Sequence, residues 1–212
     1  KALLAKHAEG LIGLSGCLKG EVTYFTWNDQ PQEARRAIGE FIDIFGKENF
    51  FLELSDQGLE PQRKVIKAYE KFAKEFGIER VATNDSHYIY QKSAAAHDVL
   101  ICIGTGSMLE EQNRMRYQGD QYYLKSAEEM YQLFSEYPEA VKKSVEIAER
   151  CNLELKFNQT HLPHFEPPAG KTQEGYLEEL CFTHLRTRLA GEIPSNYQER
   201  LRYELALINK MH

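Results

Sequence analysis

The chain has 212 residues, of which 42% are hydrophobic, and its 26 Lys and Arg against 32 Asp and Glu leave a formal charge of −6. With 12 Tyr and 11 Phe it is too apolar and aromatic to be disordered, and its acidic balance excludes a surface that is basic throughout. No run approaches the ~18 apolar residues of a membrane span. The N-terminus lacks a signal-peptide pattern, and four cysteines without a CxxC pair fit a reducing, cytoplasmic setting rather than a disulfide framework.

Leu3, Leu4, His7 and Ala8 read as a helix with no N-cap ahead of it. Leu11 to Ser15 is a short apolar run of strand type. A helix is predicted from Gln32 to Phe45, with Ala34, Ile38, Phe41, Ile42 and Phe45 on one face. Phe50 to Leu54 follows as a second strand. The next helix runs from Pro61 to Phe76 and stops at Gly77. Arg80 to Thr83 is the third strand. Strands alternating with helices through short connections imply right-handed crossovers and parallel pairing, so an α/β layer or barrel is expected.

After His87 the pattern turns helical. Ala94 to Ile103 is a predicted helix, and Gly104 to Gln121 a glycine- and charge-rich loop. Ser126 and Glu129 form a capping-box pair ahead of a helix near 127–136, and Pro138 opens another to about 151. Residues 155–171 hold three prolines and read as a linker. Two helices, near 172–190 and 195–211, finish the sequence. With no C-cap on the last, the pattern predicts a domain excised from a longer polypeptide.

Chemistry in parallel α/β folds sits where the strands end. The three strand exits here are Ser15-Gly16-Cys17, Ser55-Asp56-Gln57-Gly58 and Asn84-Asp85-Ser86-His87. Alternate residues of an extended segment point the same way, so Asp85 and His87 can converge on one Zn²⁺, Mn²⁺ or Fe ion. A capped turn explains the same residues. Cys17 can join such a cluster or be a small buried hydrophobe. Cys102, Cys151 and Cys181 fall on apolar helix faces and are assigned to packing. Glu53 and Asp56 are ligand, salt-bridge or solvated candidates; on a helix just beyond, Asp98 could support a ligand from behind, while a surface helix explains His97 and Asp98 equally well. His161 and His164 could form a metal pair, although no cysteine or carboxylate cluster accompanies them. Arg114, Arg116, Tyr117, Tyr122, Tyr123 and Lys125 mix cations with aromatics, as a nucleic-acid grip does and as a loop docked to a neighbouring domain does. P-loop, dinucleotide-binding, α/β-hydrolase and zincin signatures are absent from the sequence.

Several strings together carry a resemblance. They are Glu9 to Glu21 (EGLIGLSGCLKGE), Ala82 to Tyr88 (ATNDSHY), Ala96 to Gly106 (AHDVLICIGTG), Tyr123 to Ser126, Glu146 to Cys151, and Glu199 to Leu205. In order, along nearly the whole chain, they resemble the alpha subunits of bacterial DNA polymerase III, the C-family replicative polymerases. The resemblance implies that residues 1–160 are the C-terminal part of a PHP (polymerase and histidinol phosphatase) domain, a distorted α/β barrel. It implies a linker at 161–171 and a helical start of the palm region at 172–212.

By the same resemblance, Cys17, Asp85 and His87 match metal-ligand positions, and the intact protein is expected to hold a divalent metal there, zinc or manganese. Further ligands, including a His-x-His pair, would precede Lys1, and the magnesium-binding palm carboxylates would follow His212. The implied activities are primer extension and, at the PHP site, metal-dependent 3′–5′ exonuclease chemistry. The implied partners are primer–template DNA, deoxynucleotides, the sliding clamp and a proofreading exonuclease subunit, with no membrane. The segment alone is expected to be inactive, with no catalytic residue of its own; Arg114, Arg116 and Lys125 are candidate DNA contacts. The rival readings are a stand-alone PHP-type phosphoesterase and a structural domain that docks a separate exonuclease.

Overall fold

The computed structural model describes residues 1–160 and 162–211 and divides into two compact units, Lys1–Leu153 and Glu154–His212. His161 of the suggested His161–His164 pair lies outside the described residues.

In the first unit, strands β1 (Gly13–Leu14), β2 (Phe50–Leu54) and β3 (Arg80–Ala82) form a parallel sheet in that order. Gly13 pairs with Phe50, and Leu52, Glu53 and Leu54 pair with Arg80, Val81 and Ala82. As the middle strand, β2 is covered on both faces, and Phe50, Phe51, Leu52 and Leu54 are all buried. That two-sided burial is why its sequence is an unbroken apolar run rather than an alternation. β1 is shorter than its apolar run. Gly13 allows it to lie against the Phe45 ring, where a Cβ would come within 2.6 Å.

Helix α1 (Ala2–Lys6) precedes the sheet, and helices α3 (Pro31–Phe45) and α4 (Glu60–Phe76) connect its strands. α4 buries Val65, Ile66, Tyr69 and Phe72 and exposes Lys67, Lys71 and Lys74. That is the expected amphipathic split, and the helix ends at left-handed Gly77, φ 59°. Phe41 of α3 stacks on Phe50 of β2 with ring centroids 5.3 Å apart.

One helix has no counterpart among the predicted elements. α2 (Glu21–Trp27, EVTYFTW) is rich in β-branched and aromatic residues, which disfavour an isolated helix. It forms because Val22, Thr23 and Thr26 are buried against α3 and α4.

Farther along, α5 (Ala94–Thr105) precedes a long loop, α6 (Ala127–Leu133) starts at the Ser126–Glu129 capping box, and α7 (Pro138–Arg150) packs on β3. α6 stops short of the expected 136 because Phe134 leaves helical geometry, φ −107°, to bury its ring. Cys102 is buried and Cys181 half-buried, but Cys151 is exposed. It occupies the C-cap position of α7, beyond the helix's apolar face.

The second unit holds irregular chain followed by α8 (Gln173–Leu189) and α9 (Ser195–Met211). The Thr172 hydroxyl caps α8 by accepting from the Gly175 N–H at 3.1 Å, and Phe165 stacks on Tyr176 at 5.9 Å. Among the described residues no helix is long and apolar enough to cross a membrane.

Leu52, fully buried at the centre of the sheet, sets the first test. Leu52→Ala should cost about 2–5 kcal/mol in urea unfolding, whereas Lys67→Ala on the exposed side of α4 should stay within about 0.5 kcal/mol.

Candidate functional site

The loops leaving the three strands are tied together by one side chain. Glu53 of β2 accepts a hydrogen bond from the Gly16 N–H at 3.1 Å on Oε2 and from the Thr83 hydroxyl at 2.6 Å on Oε1. Its own backbone N–H donates to Ser15 Oγ at 2.9 Å. A carboxylate weighed as a metal ligand in the sequence is thus a brace between the first and third strand exits.

The first exit is shaped by backbone as much as by side chains. Gly16 is left-handed, φ 79°, and a Cβ on Gly20 would sit 2.2 Å from the Ser15 carbonyl oxygen, so the turn closes only with glycine there. The Thr23 hydroxyl donates to the Gly16 carbonyl at 3.1 Å, leaving its oxygen to accept the Tyr69 hydroxyl proton at 2.7 Å. Burial pushes the Tyr69 phenol up to about 12; its hydrogen bonding with Ser15 and Thr23 works against that shift, and the nearby Glu53 charge adds to it. Tyr69 therefore remains a neutral donor throughout the physiological range.

At the third exit Asp85 Oδ1 and His87 Nε2 lie 3.0 Å apart. In the tautomer that gives Nε2–H to the carboxylate, Nδ1 keeps its lone pair as a base or a ligand. The imidazole is held by rings: Tyr117 at 4.4 Å, His97 at 5.5 Å and Tyr122 at 5.6 Å between centroids. Its backbone N–H donates to the Tyr122 carbonyl at 2.8 Å, and Asn84 Nδ2 donates to the Tyr123 carbonyl at 3.0 Å. The far end of the 104–121 loop thereby docks beside the β3 exit. Tyr117 and Tyr122 are the residues that sequence reasoning did not connect to His87; the cluster of tyrosines was the available signal. At the middle exit, Asp56 Oδ1 accepts from the Gly58 N–H at 2.7 Å, which makes it a turn residue.

The expected DNA-contacting cations divide three ways. Arg114 is instead a structural cation: its side chain is 5% exposed, and its guanidinium donates both Nη1 and Nη2 to the Asp98 carboxylate at 2.6 Å. Those hydrogen bonds hold the Asp98 carboxyl below the usual carboxylate range. The Lys125 ammonium reaches back to the Gln121 carbonyl and lies 4.3 Å from the Tyr123 ring centroid; burial lowers its pKa. Arg116 is exposed and lines an open cleft of about 250 Å³ with His97, Tyr88 and Tyr117.

In the other tautomer of His87, Nε2 carries the lone pair; two donors that subtend a right angle at an ion 2.0–2.2 Å away are about 3 Å apart, so the Oδ1–Nε2 spacing then suits two coordination positions. Cys17 is exposed and does not join them. Among the described residues no three His, Cys, Asp or Glu side chains converge. This chain by itself therefore presents a pair of donors, short of the three or four that hold a zinc ion.

A family model described as PHP domain matches residues 1–57, from α1 through Glu53 to the middle strand exit. DNA polymerase III subunit alpha of Treponema pallidum is 39% identical over 210 residues, covering 99% of this chain and 18% of that protein. The corresponding subunit of Saccharopolyspora erythraea is 38% identical over 99% of this chain and 18% of its own length. Over nearly its whole length the chain is therefore similar to one segment of DNA polymerase III alpha subunits. The Thermus aquaticus alpha subunit, 37% identical over 95% of this chain, is covered for 17% of its length. The segment thus spans less than a fifth of the alpha subunits it matches. Within it, the PHP match holds the Ser15–Gly20 turn and Glu53, while Asp85 and His87 lie beyond that match.

The brace can be tested without touching the donor pair. Glu53→Gln keeps an acceptor for Gly16 and turns an amide donor toward the Thr83 oxygen, so it should cost less than about 1 kcal/mol. Glu53→Ala leaves the Gly16 N–H without its acceptor and should cost about 1–3 kcal/mol, with faster amide exchange at Gly16 than in Glu53→Gln. Equal exchange in the two variants would contradict the assignment.

Proposed function

We propose that this chain is a segment of the catalytic alpha subunit of a bacterial DNA polymerase III, a template-directed nucleotidyltransferase. The observation that carries the reading is collinear similarity over 99% of the chain to proteins of that name. On this reading residues 1–160 are the C-terminal part of a PHP domain in a distorted α/β barrel, residues 161–171 the linker and residues 172–212 the start of the palm. The three-stranded parallel sheet with helical crossovers supports the barrel assignment. The polymerase would work on primer–template DNA and deoxynucleotides in the cytoplasm, with a sliding clamp and a proofreading exonuclease subunit as partners.

The second part of the proposal concerns the strand exits. Asp85 and His87 are the segment's contribution to a divalent-metal phosphoesterase site that excises 3′ nucleotides. Their spacing supports this, and the remaining donors would come from outside the described residues. Cys17, by family resemblance a third ligand, would have to move toward them. The rings around His87 orient the imidazole. Such orienting contacts decide whether a histidine offers its lone pair in a useful direction.

The test uses the full-length polypeptide. Primer extension should be present and should stay within about two-fold in Asp85→Asn, whereas 3′ excision should fall by about 100-fold or more, beyond what loss of an outer-shell partner costs. Absence of primer extension in the parent would overturn the polymerase reading. Unchanged excision in Asp85→Asn would overturn the site assignment alone.

A further inference from the structure

Helix α5 is built inside out. Its polar residues face its own unit: His97 packs on the His87, Tyr88 and Tyr117 rings, and Asp98 clamps Arg114. Cys102, one turn on, is its one buried residue. The opposite side carries Ala96, Val99, Leu100 and Ile103, which the 3.6-residue period groups on one stripe. That stripe is exposed, Leu100 to 63% and Ile103 to 74%. It continues past the left-handed C-cap Gly106 into Met108, 68% exposed. On α4 of the same unit the outward residues are instead Lys67, Lys71 and Lys74. A helix whose outer stripe is wholly aliphatic is one that a protein covers.

We propose that the outer face of α5 is an intramolecular docking surface, covered by apolar chain of the same polypeptide from beyond these 212 residues. The occupant follows from length: the alpha subunits that match this chain end to end are single polypeptides of which it makes up about 18%. The covering chain is therefore tethered and needs no separate encounter. The exposed thioethers of Met108 and Met115 suit such a face, because an unbranched side chain adapts to an irregular partner surface. The polar side of the helix already supports His87, so this contact would hold α5, and through it the donor pair, in place.

The proposal rests on the reading of this chain as a polymerase segment. Its test compares the full-length polypeptide with Ile103→Ser by hydrogen exchange, intact mass and light scattering. Both proteins should be monomers. The substitution should raise amide exchange several-fold in α5 and in a second stretch outside residues 1–212. Val99→Ser serves as an independent variant in case Ile103→Ser fails to fold, and it should expose the same second stretch. A dimer in the parent that dissociates in Ile103→Ser would make a second copy the occupant and overturn the proposal. A rise confined to residues 1–212, or no rise, would overturn it too. A natural polypeptide of only 24.5 kDa would instead defeat the segment reading on which the proposal stands.

Discussion

Two hydrogen bonds to one carboxylate keep the ends of this sheet in register. Three parallel strands leave their exit loops side by side. The last backbone bonds, from the Ser15 N–H to the Phe51 carbonyl and from the Thr83 N–H to the Leu54 carbonyl, tie each outer exit to β2, and neither joins the first exit to the third. Glu53 does, accepting from Gly16 on one side and Thr83 on the other while its amide serves Ser15. Both carboxylate oxygens are used, so the group's acceptors are satisfied in a half-buried place. The Ser15–Gly20 turn and the segment leading to Asp85 and His87 then start from a common anchor. Thr23 and Tyr69 extend the anchoring into α2 and α4.

From that anchor, the chemistry available to the segment is limited and definite. Asp85 and His87 sit at hydrogen-bonding distance, and a ring cluster from α5 and the following loop orients the imidazole. An oxygen and a nitrogen donor so placed make part of a metal site or a carboxylate–imidazole pair. Cys17 stands apart on the other side of the brace. The segment therefore supplies orientation and two donors, and the proposed excision chemistry depends on residues it does not contain.

Much of this was legible beforehand, for identifiable reasons. β2 could be found because burial on both faces demands an uninterrupted apolar run, and α3 and α4 because each has one apolar stripe. The Ser126–Glu129 capping box and the Gly77 stop are local signals and fell where expected. α2 was missed because its residues favour strands, and only packing against α3 and α4 makes it helical. Glu53 and Arg114 were read as candidate ligand and candidate DNA contact because sequence shows a charge and not its partner. The partners, Gly16 and Thr83 for one and Asp98 for the other, are set by the fold. The resemblance to the polymerase family located the segment within a larger chain, which periodicity and composition alone did not.

The central claim is that this segment orients part of a metal site whose other donors come from the rest of the polypeptide. Calorimetric titration with Zn²⁺ and Mn²⁺, run in parallel on the 212-residue segment and the full-length protein, tests it most directly. The account predicts that the full-length protein binds at least about 100-fold more tightly than the segment and that Asp85→Asn removes most of the difference. Equal affinity in the two, or an affinity that Asp85→Asn leaves unchanged, would contradict it.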